Sequence, residues 1–117
     1  MNNRIFFSEL LQDLPLWTAI FMSLYPTLQN KNIFFISLII GIFASLYIWY
    51  LMKKGEYTLK IFLKNPSETF PFMIYSFVIL IFLVILTYKG ILYMPSVIWF
   101  YLLITSIVEF FFIRRDL

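Results

Sequence analysis

The feature that most constrains this chain is a series of long stretches without a charged residue. Twenty-one residues separate Lys31 from Lys53, twenty separate Glu68 from Lys89, and nineteen separate Lys89 from Glu109. A helix needs about 20 mostly apolar residues to cross the ~30 Å hydrocarbon core of a bilayer. We therefore predict three membrane-spanning helices, over residues 33–52, 69–88 and 91–113.

The amino-terminal segment permits two interpretations. Residues 14–30 carry no charge and are followed by Lys31, so they can form a short first span. The preceding residues mix apolar with polar and charged side chains, which is also the pattern of a helix lying at the membrane interface. We expect a first span at 14–30, with three spans plus an amino-terminal interfacial helix as the alternative.

Composition excludes several classes of protein. Hydrophobic residues make up 62% of the 117 residues and charged residues 13%, whereas soluble domains are about 45–50% apolar and about 25% charged. The chain has no cysteine and no histidine, which removes thiol and imidazole catalysis and the usual ligands of zinc, haem and copper. We predict an all-α, single membrane domain over 1–117 that is not an enzyme and needs no metal or cofactor.

Basic residues predict the orientation. With four spans, seven of the nine lysines and arginines fall on one side, and only Lys31 and Lys89 fall on the other. Lysine and arginine are retained on the cytoplasmic side, so a four-helix bundle would have both termini in the cytoplasm. The richness in Ile, Phe, Asn and Lys suggests an AT-rich genome, and we expect the bacterial cytoplasmic membrane.

The same basic residues predict contact with lipid. The 53–68 segment is the one sizeable loop, and its lysines alternate with apolar side chains that can lie on the cytoplasmic leaflet. Nucleic-acid binding is not expected, because the basic residues flank spans and form no patch with stacking aromatics. The expected lipid-headgroup contacts are Lys53, Lys54, Lys60, Lys64, Arg114 and Arg115.

Small residues recur at helical spacing in the second span. Ser37, Gly41 and Ser45 are four residues apart and so share one helix face, with Ala44 beside them. Small residues let two helices approach closely in lipid. We predict a helix-packing interface at these four positions, either within the chain or between chains.

Three acidic residues are the candidate polar sites. Glu109 lies within the last span, where a carboxylate by default suggests function, although a structural ion pair with Arg4, Lys53 or the terminal arginines is the competing explanation. Glu9 and Asp13 share a helix face at the expected cytoplasmic end of the first span. We expect this interfacial acidic pair to act on the helix dipole rather than in acid–base chemistry.

These observations favour a protein that works by contact. We expect a small non-enzymatic accessory, regulatory or interaction subunit whose partners are the bilayer and other membrane chains or a second copy. The alternative is a minimal transporter, channel or pore former. The mid-span positions are mostly Ile, Leu, Val and Phe, which argues against a polar path.

Overall fold

The computed structural model describes residues 3–58 and 66–113, and the ordered elements in these ranges are all helical. Part of the predicted loop, with Lys60 and Lys64, and the terminal Arg114 and Arg115 lie outside the described residues. The α-helices in these described ranges are α1 (Asn3–Gln12), α2 (Leu14–Leu24), α3 (Lys31–Lys54), α4 (Pro66–Tyr88) and α5 (Pro95–Phe112).

Three helices are long and apolar enough to cross a membrane, as the uncharged stretches predict. They are α3, the Phe70–Tyr88 part of α4, and α5. The last helix begins at Pro95, later than the predicted residue 91, because Met94 takes a left-handed conformation with φ of 50°. Proline suits the first turn that follows, where no helical N–H bond is needed.

The amino-terminal segment differs from the single helix expected at 14–30. It consists of α1 and α2, which meet at Asp13 with a bend of 41° and together count as a fourth candidate span. Pro15 explains the break, since it has no N–H to donate to the carbonyl of Leu11 and its ring crowds the preceding turn. Helix α2 ends at Leu24, and Pro26–Leu28 form one 3₁₀ turn before α3.

The α1–α2 pair runs antiparallel to α3 along its whole length. At one end, the Arg4 Nη2 atom lies 3.1 Å from Glu56 Oε2, just beyond the end of α3. At the other end, Ser23 Oγ accepts a hydrogen bond of 2.8 Å from the backbone N–H of Tyr93, which packs on Phe34 near the start of α3. Both described ends of the chain meet, because Ile113 packs on the cluster that contains Ile5.

Helices approach closely at Gly41, which with Ser45 brackets the midpoint of α3. A Cβ atom built on Gly41 would lie 2.6 Å from Pro15 Cγ and 2.7 Å from the Tyr101 hydroxyl oxygen. Only glycine therefore lets the α1–α2 break and α5 rest on α3 at this level. The break is thus positioned halfway along the bundle.

Helix α4 lies at the edge of the bundle. It packs against α2, whereas α5 packs against both α3 and α2. A hydrogen bond of 2.9 Å from Trp99 Nε1 to Thr87 Oγ1 joins α4 and α5 near their turn. Farther from that turn the two helices leave a groove between them, whose floor is formed by α2.

Candidate functional site

Gln12 is the centre of a polar cluster inside the bundle. Its side-chain Nε2 atom donates one hydrogen bond of 2.6 Å to Glu109 Oε1 and another of 3.0 Å to Ser45 Oγ. The residue is 6% exposed. One amide thus joins α1, α3 and α5 through the two hydrogens of its NH₂ group.

Tyr101 completes this cluster at the helix break. Its hydroxyl donates a hydrogen bond of 2.6 Å to the backbone carbonyl of Gln12. That carbonyl lies at the end of α1, where the break deprives carbonyls of their helical donors. Ser45 Oγ is 3.4 Å from the same hydroxyl and donates to the carbonyl of Gly41 at 2.9 Å. The interior of the bundle therefore holds the break in place with specific donors.

Glu9 has its own partner at the end of the bundle. It is 9% exposed, and its Oε1 atom accepts a hydrogen bond of 3.0 Å from the Tyr57 hydroxyl. Burial, with the Glu9 carboxylate beside it, raises the pKa of the Tyr57 phenol well above its ordinary value. The phenol therefore stays protonated and remains a hydrogen-bond donor to Glu9.

Asp13 differs from the other two acidic residues. It is partly buried, and within residues 3–58 and 66–113 no side chain or backbone group donates a hydrogen bond to its carboxylate. Asp13 lines the groove between α2, α4 and α5, a cavity of about 230 Å³. Ser76 of α4 and Ser106 of α5 also line it, and its other walls are leucine and isoleucine. Among the described residues, the carboxylate is thus the one charged group in a groove of mostly apolar side chains.

Glu9, Asp13 and Glu109 have different surroundings in the bundle. Glu109 accepts from the Gln12 amide, and over the described residues no lysine or arginine pairs with Glu9, Asp13 or Glu109. Asp13 lies level with the middle of α3, since its neighbours Gln12 and Pro15 contact Ser45 and Gly41. Glu9 and Asp13 remain on successive turns, since the Asp13 backbone N–H donates to the Glu9 carbonyl oxygen at 3.1 Å, but Glu9 bonds to Tyr57 near the end of the bundle whereas Asp13 lies at the break.

The predicted small-residue face lies inside the chain. Ser37, Gly41, Ala44 and Ser45 are all buried, and Gly41 is covered by Pro15 and Tyr101. Within one molecule this face is therefore occupied by α1, α2 and α5. A second chain has no access to it without unpacking the bundle.

Of the predicted headgroup lysines, Lys53 and Lys54 are described, and both are exposed at the end of α3. The Lys54 Nζ atom lies 3.8 Å from Glu56 Oε1 and 5.0 Å from the centre of the Tyr50 ring. Within the described ranges no group of three or more acidic, histidine or cysteine side chains is placed to hold a metal ion.

Three residues of the cluster were missed from sequence. The hydrogen-bond partners of Gln12, Tyr57 and Tyr101 are 33 to 97 positions away along the chain. Spacing between neighbouring residues therefore does not predict these contacts. Tyr101 carried one available signal. Tyrosine is enriched at the membrane–water interface, so a tyrosine in the middle of a span needs an internal hydrogen-bond partner.

Comparisons with known proteins add no relative. No protein-family model matches the chain, and no curated protein or solved structure is similar to it at a significant level. The function therefore has to be argued from the geometry of the bundle.

Proposed function

We propose that the α1–α2 pair is one broken span, and that the chain is a four-span protein of the bacterial cytoplasmic membrane with both termini in the cytoplasm. The pair runs the full length of α3, from the Arg4–Glu56 contact to the Ser23–Tyr93 contact, which supports a crossing. Arg4, Lys53 and Lys54 share one end of the bundle, and Lys31 and Lys89 flank the opposite helix ends. This asymmetry supports the cytoplasmic assignment of the first end.

Single cysteines test this topology, because the natural chain has none. We expect cysteines at Asn30 and Lys89 to react in whole cells with a membrane-impermeant thiol reagent. Cysteines at Asn3 and Lys53 should react only after the membrane is permeabilised. If the cysteine at position 3 reacts from outside while the cysteine at position 53 stays protected, α1 and α2 lie on the outer face and three spans remain.

The function that the geometry supports best is that of an accessory subunit, which docks another membrane chain in the α4–α5 groove. The observation that carries this proposal is that this groove is open to the side and has a small residue on each wall. A second open groove, of about 360 Å³ between α3 and α5, is walled instead by large side chains such as Trp49 and Phe100. The small-residue face of α3 is buried, as described above. The groove instead presents Ser76 and Ser106, which are both exposed, and small residues permit close approach of a helix.

Photo-crosslinking in intact cells tests this docking. With a photoreactive residue at Leu80 or Leu103, which line the groove and its margin, we expect a discrete adduct with another membrane chain. At Phe43, which is 67% exposed on α3, we expect no such adduct. Ser106→Leu should fill the groove and abolish the adduct from Leu80. Adducts of equal yield at all positions, or none at Leu80, would contradict docking in the groove.

Proton- or cation-coupled transport is the second candidate. It is favoured by Glu9, Asp13 and Glu109, which pair with none of the described basic residues. It is also favoured by the break midway along the first span, since transporter binding sites use discontinuous helices. The two functions differ at Glu109. If Glu109 is a coupling carboxylate, the purified chain should carry a proton or cation flux in proteoliposomes, and Glu109→Gln should abolish that flux without unfolding the protein. If the chain is a docking subunit, the purified wild-type protein should carry no such flux.

A further inference from the structure

The carboxylate of Asp13 favours a particular chemistry in the molecule that occupies the groove. The docking function alone does not require such a preference. The other residues that line the groove are Leu16, Ser76, Ile79, Leu80, Leu83, Leu102 and Ser106. Asp13 is the one acidic residue among them, and it has no hydrogen-bond donor within the described part of the chain. A carboxylate in such surroundings is costly unless a cation or donor reaches it.

On this basis, and resting on the docking function proposed above, we propose that the occupant of the groove is a transmembrane helix of another protein, which places a lysine or arginine on Asp13. The shape of the surface supports a helix as the occupant. The concave surface continues along α4 from Phe72 and Met73 past Ser76 to Leu83. These twelve residues of helix cover about 18 Å at 1.5 Å per residue. This length of about three turns fits a helix better than a small amine.

Among the residues that the structure describes, a second copy of this chain offers no basic side chain at the level of Asp13. The lysines and arginines that the structure describes lie at helix ends or in turns, at positions 4, 31, 53, 54 and 89. Asp13 lies halfway along the bundle, beside the residues that contact Gly41 and Ser45. A symmetric or antiparallel pair of these chains therefore brings apolar side chains, not basic ones, to the level of Asp13.

The serines make the approach of such a helix possible. Ser76 lies on α4 and Ser106 on α5, so each wall of the groove that contains Asp13 has one small side chain. Small residues at both walls let a third backbone come close. A lysine or arginine stem then packs along leucine side chains while its charged group reaches the carboxylate.

Synthetic transmembrane peptides test this preference directly. The probes are Leu/Ala peptides with one lysine at each of three adjacent central positions, and a matched peptide with leucine there. The full chain is reconstituted in phosphatidylcholine vesicles, and binding is measured by energy transfer from a label on a cysteine at Tyr88. We expect the best lysine peptide to bind about tenfold more tightly than the leucine peptide.

Variants locate the preference. Asp13→Asn keeps the size of the side chain and should reduce the preference for lysine to about onefold. Glu9→Gln, which removes a carboxylate that the groove does not contain, should leave the preference unchanged. Ser106→Leu should weaken lysine and leucine peptides alike, whereas Ser96→Leu, at an exposed serine outside the groove, should weaken neither.

The outcomes separate this inference from the docking function. If no lysine peptide binds wild type better than the leucine peptide, or if the preference survives Asp13→Asn, recognition of a cation by Asp13 is wrong. Docking would still stand if the cellular crosslinks from Leu80 persist in Asp13→Asn. If those crosslinks are absent in wild type while the lysine preference holds, the groove binds cationic helices but the accessory function fails.

Discussion

Replacing Gly41 by alanine is expected to destabilise the folded chain by about 1–3 kcal/mol, the range for overpacking a filled interior. The new methyl group would lie 2.6 Å and 2.8 Å from the Pro15 Cγ and Cδ atoms. These ring atoms are fixed to the backbone of α2, so relief of the clash has to move the helix. Alanine favours helix over glycine by about 1 kcal/mol. This gain offsets only part of the overpacking cost when that cost is near ~3 kcal/mol.

Unfolding of the purified protein in mild detergent, followed by circular dichroism, measures this effect. Gly41→Leu should be more severe and prevent assembly of the bundle. Val84→Ile also adds one carbon, but at a site on α4 that is 51% exposed, and should change stability by less than about 0.5 kcal/mol. Ile39→Leu, off the buried face of α3, should likewise be mild. Equal stability of Gly41→Ala and Val84→Ile would mean that α2 does not rest on α3 at this point.

Replacing Gln12 by leucine is the second change with a large expected effect. It removes the amide that donates the 2.6 Å hydrogen bond to Glu109 Oε1 and leaves this partly buried carboxylate without that partner. An unsatisfied buried group costs about 1–3 kcal/mol, and more when it is charged. The free energy of unfolding should therefore fall by at least that amount, even though leucine is similar in size and favours helix.

The double variant Gln12→Leu with Glu109→Leu provides the decisive comparison. Removing both partners of a buried hydrogen bond can be nearly neutral, so the second substitution should restore much of the stability that the first removes. Gln29→Leu serves as the control, because Gln29 is exposed in the turn before α3 and donates only to the carbonyl of Met22. Additive losses in the double variant would show that Glu109 does not depend on Gln12.

The local parts of this fold could be predicted from the sequence, and its tertiary parts could not. Hydropathy and run length are properties of neighbouring residues, and they predicted the three helices that are long and apolar enough to span. The extent of the first segment depends on which helices cover its polar side chains. The sequence alone indicates surface positions for Glu9, Gln12 and Asp13, whereas in the bundle α3 and α5 pack against this segment.

The candidate site illustrates the same limit. Spacing of four residues places Ser37, Gly41 and Ser45 on one helix face, but it does not say which helix lies on that face. The structure shows Pro15 and Tyr101 there. The partner of Glu109 was expected to be a cation because charges attract most strongly, yet the nearest donor is an uncharged amide on α1. Which donor reaches a carboxylate depends on bundle geometry and not on spacing along the chain.

The break at Asp13 has a consequence for biogenesis. An aspartate at the centre of a span opposes membrane insertion by about 2.5–3.5 kcal/mol, and Gln12 and Glu9 lie in the same segment. In the four-span topology proposed above, α1–α2 is thus the span that lipid accepts least well, whereas α3, with a mean hydropathy of 2.2 over its best window, inserts readily. We expect the two to insert together as a hairpin, and the polar break to stay exposed until α5, which is translated later, brings Tyr101 and Glu109 against it. A nascent chain that stops before α5 would leave the polar side chains at the break without their partners in the bilayer. We expect membrane proteases to degrade such a chain.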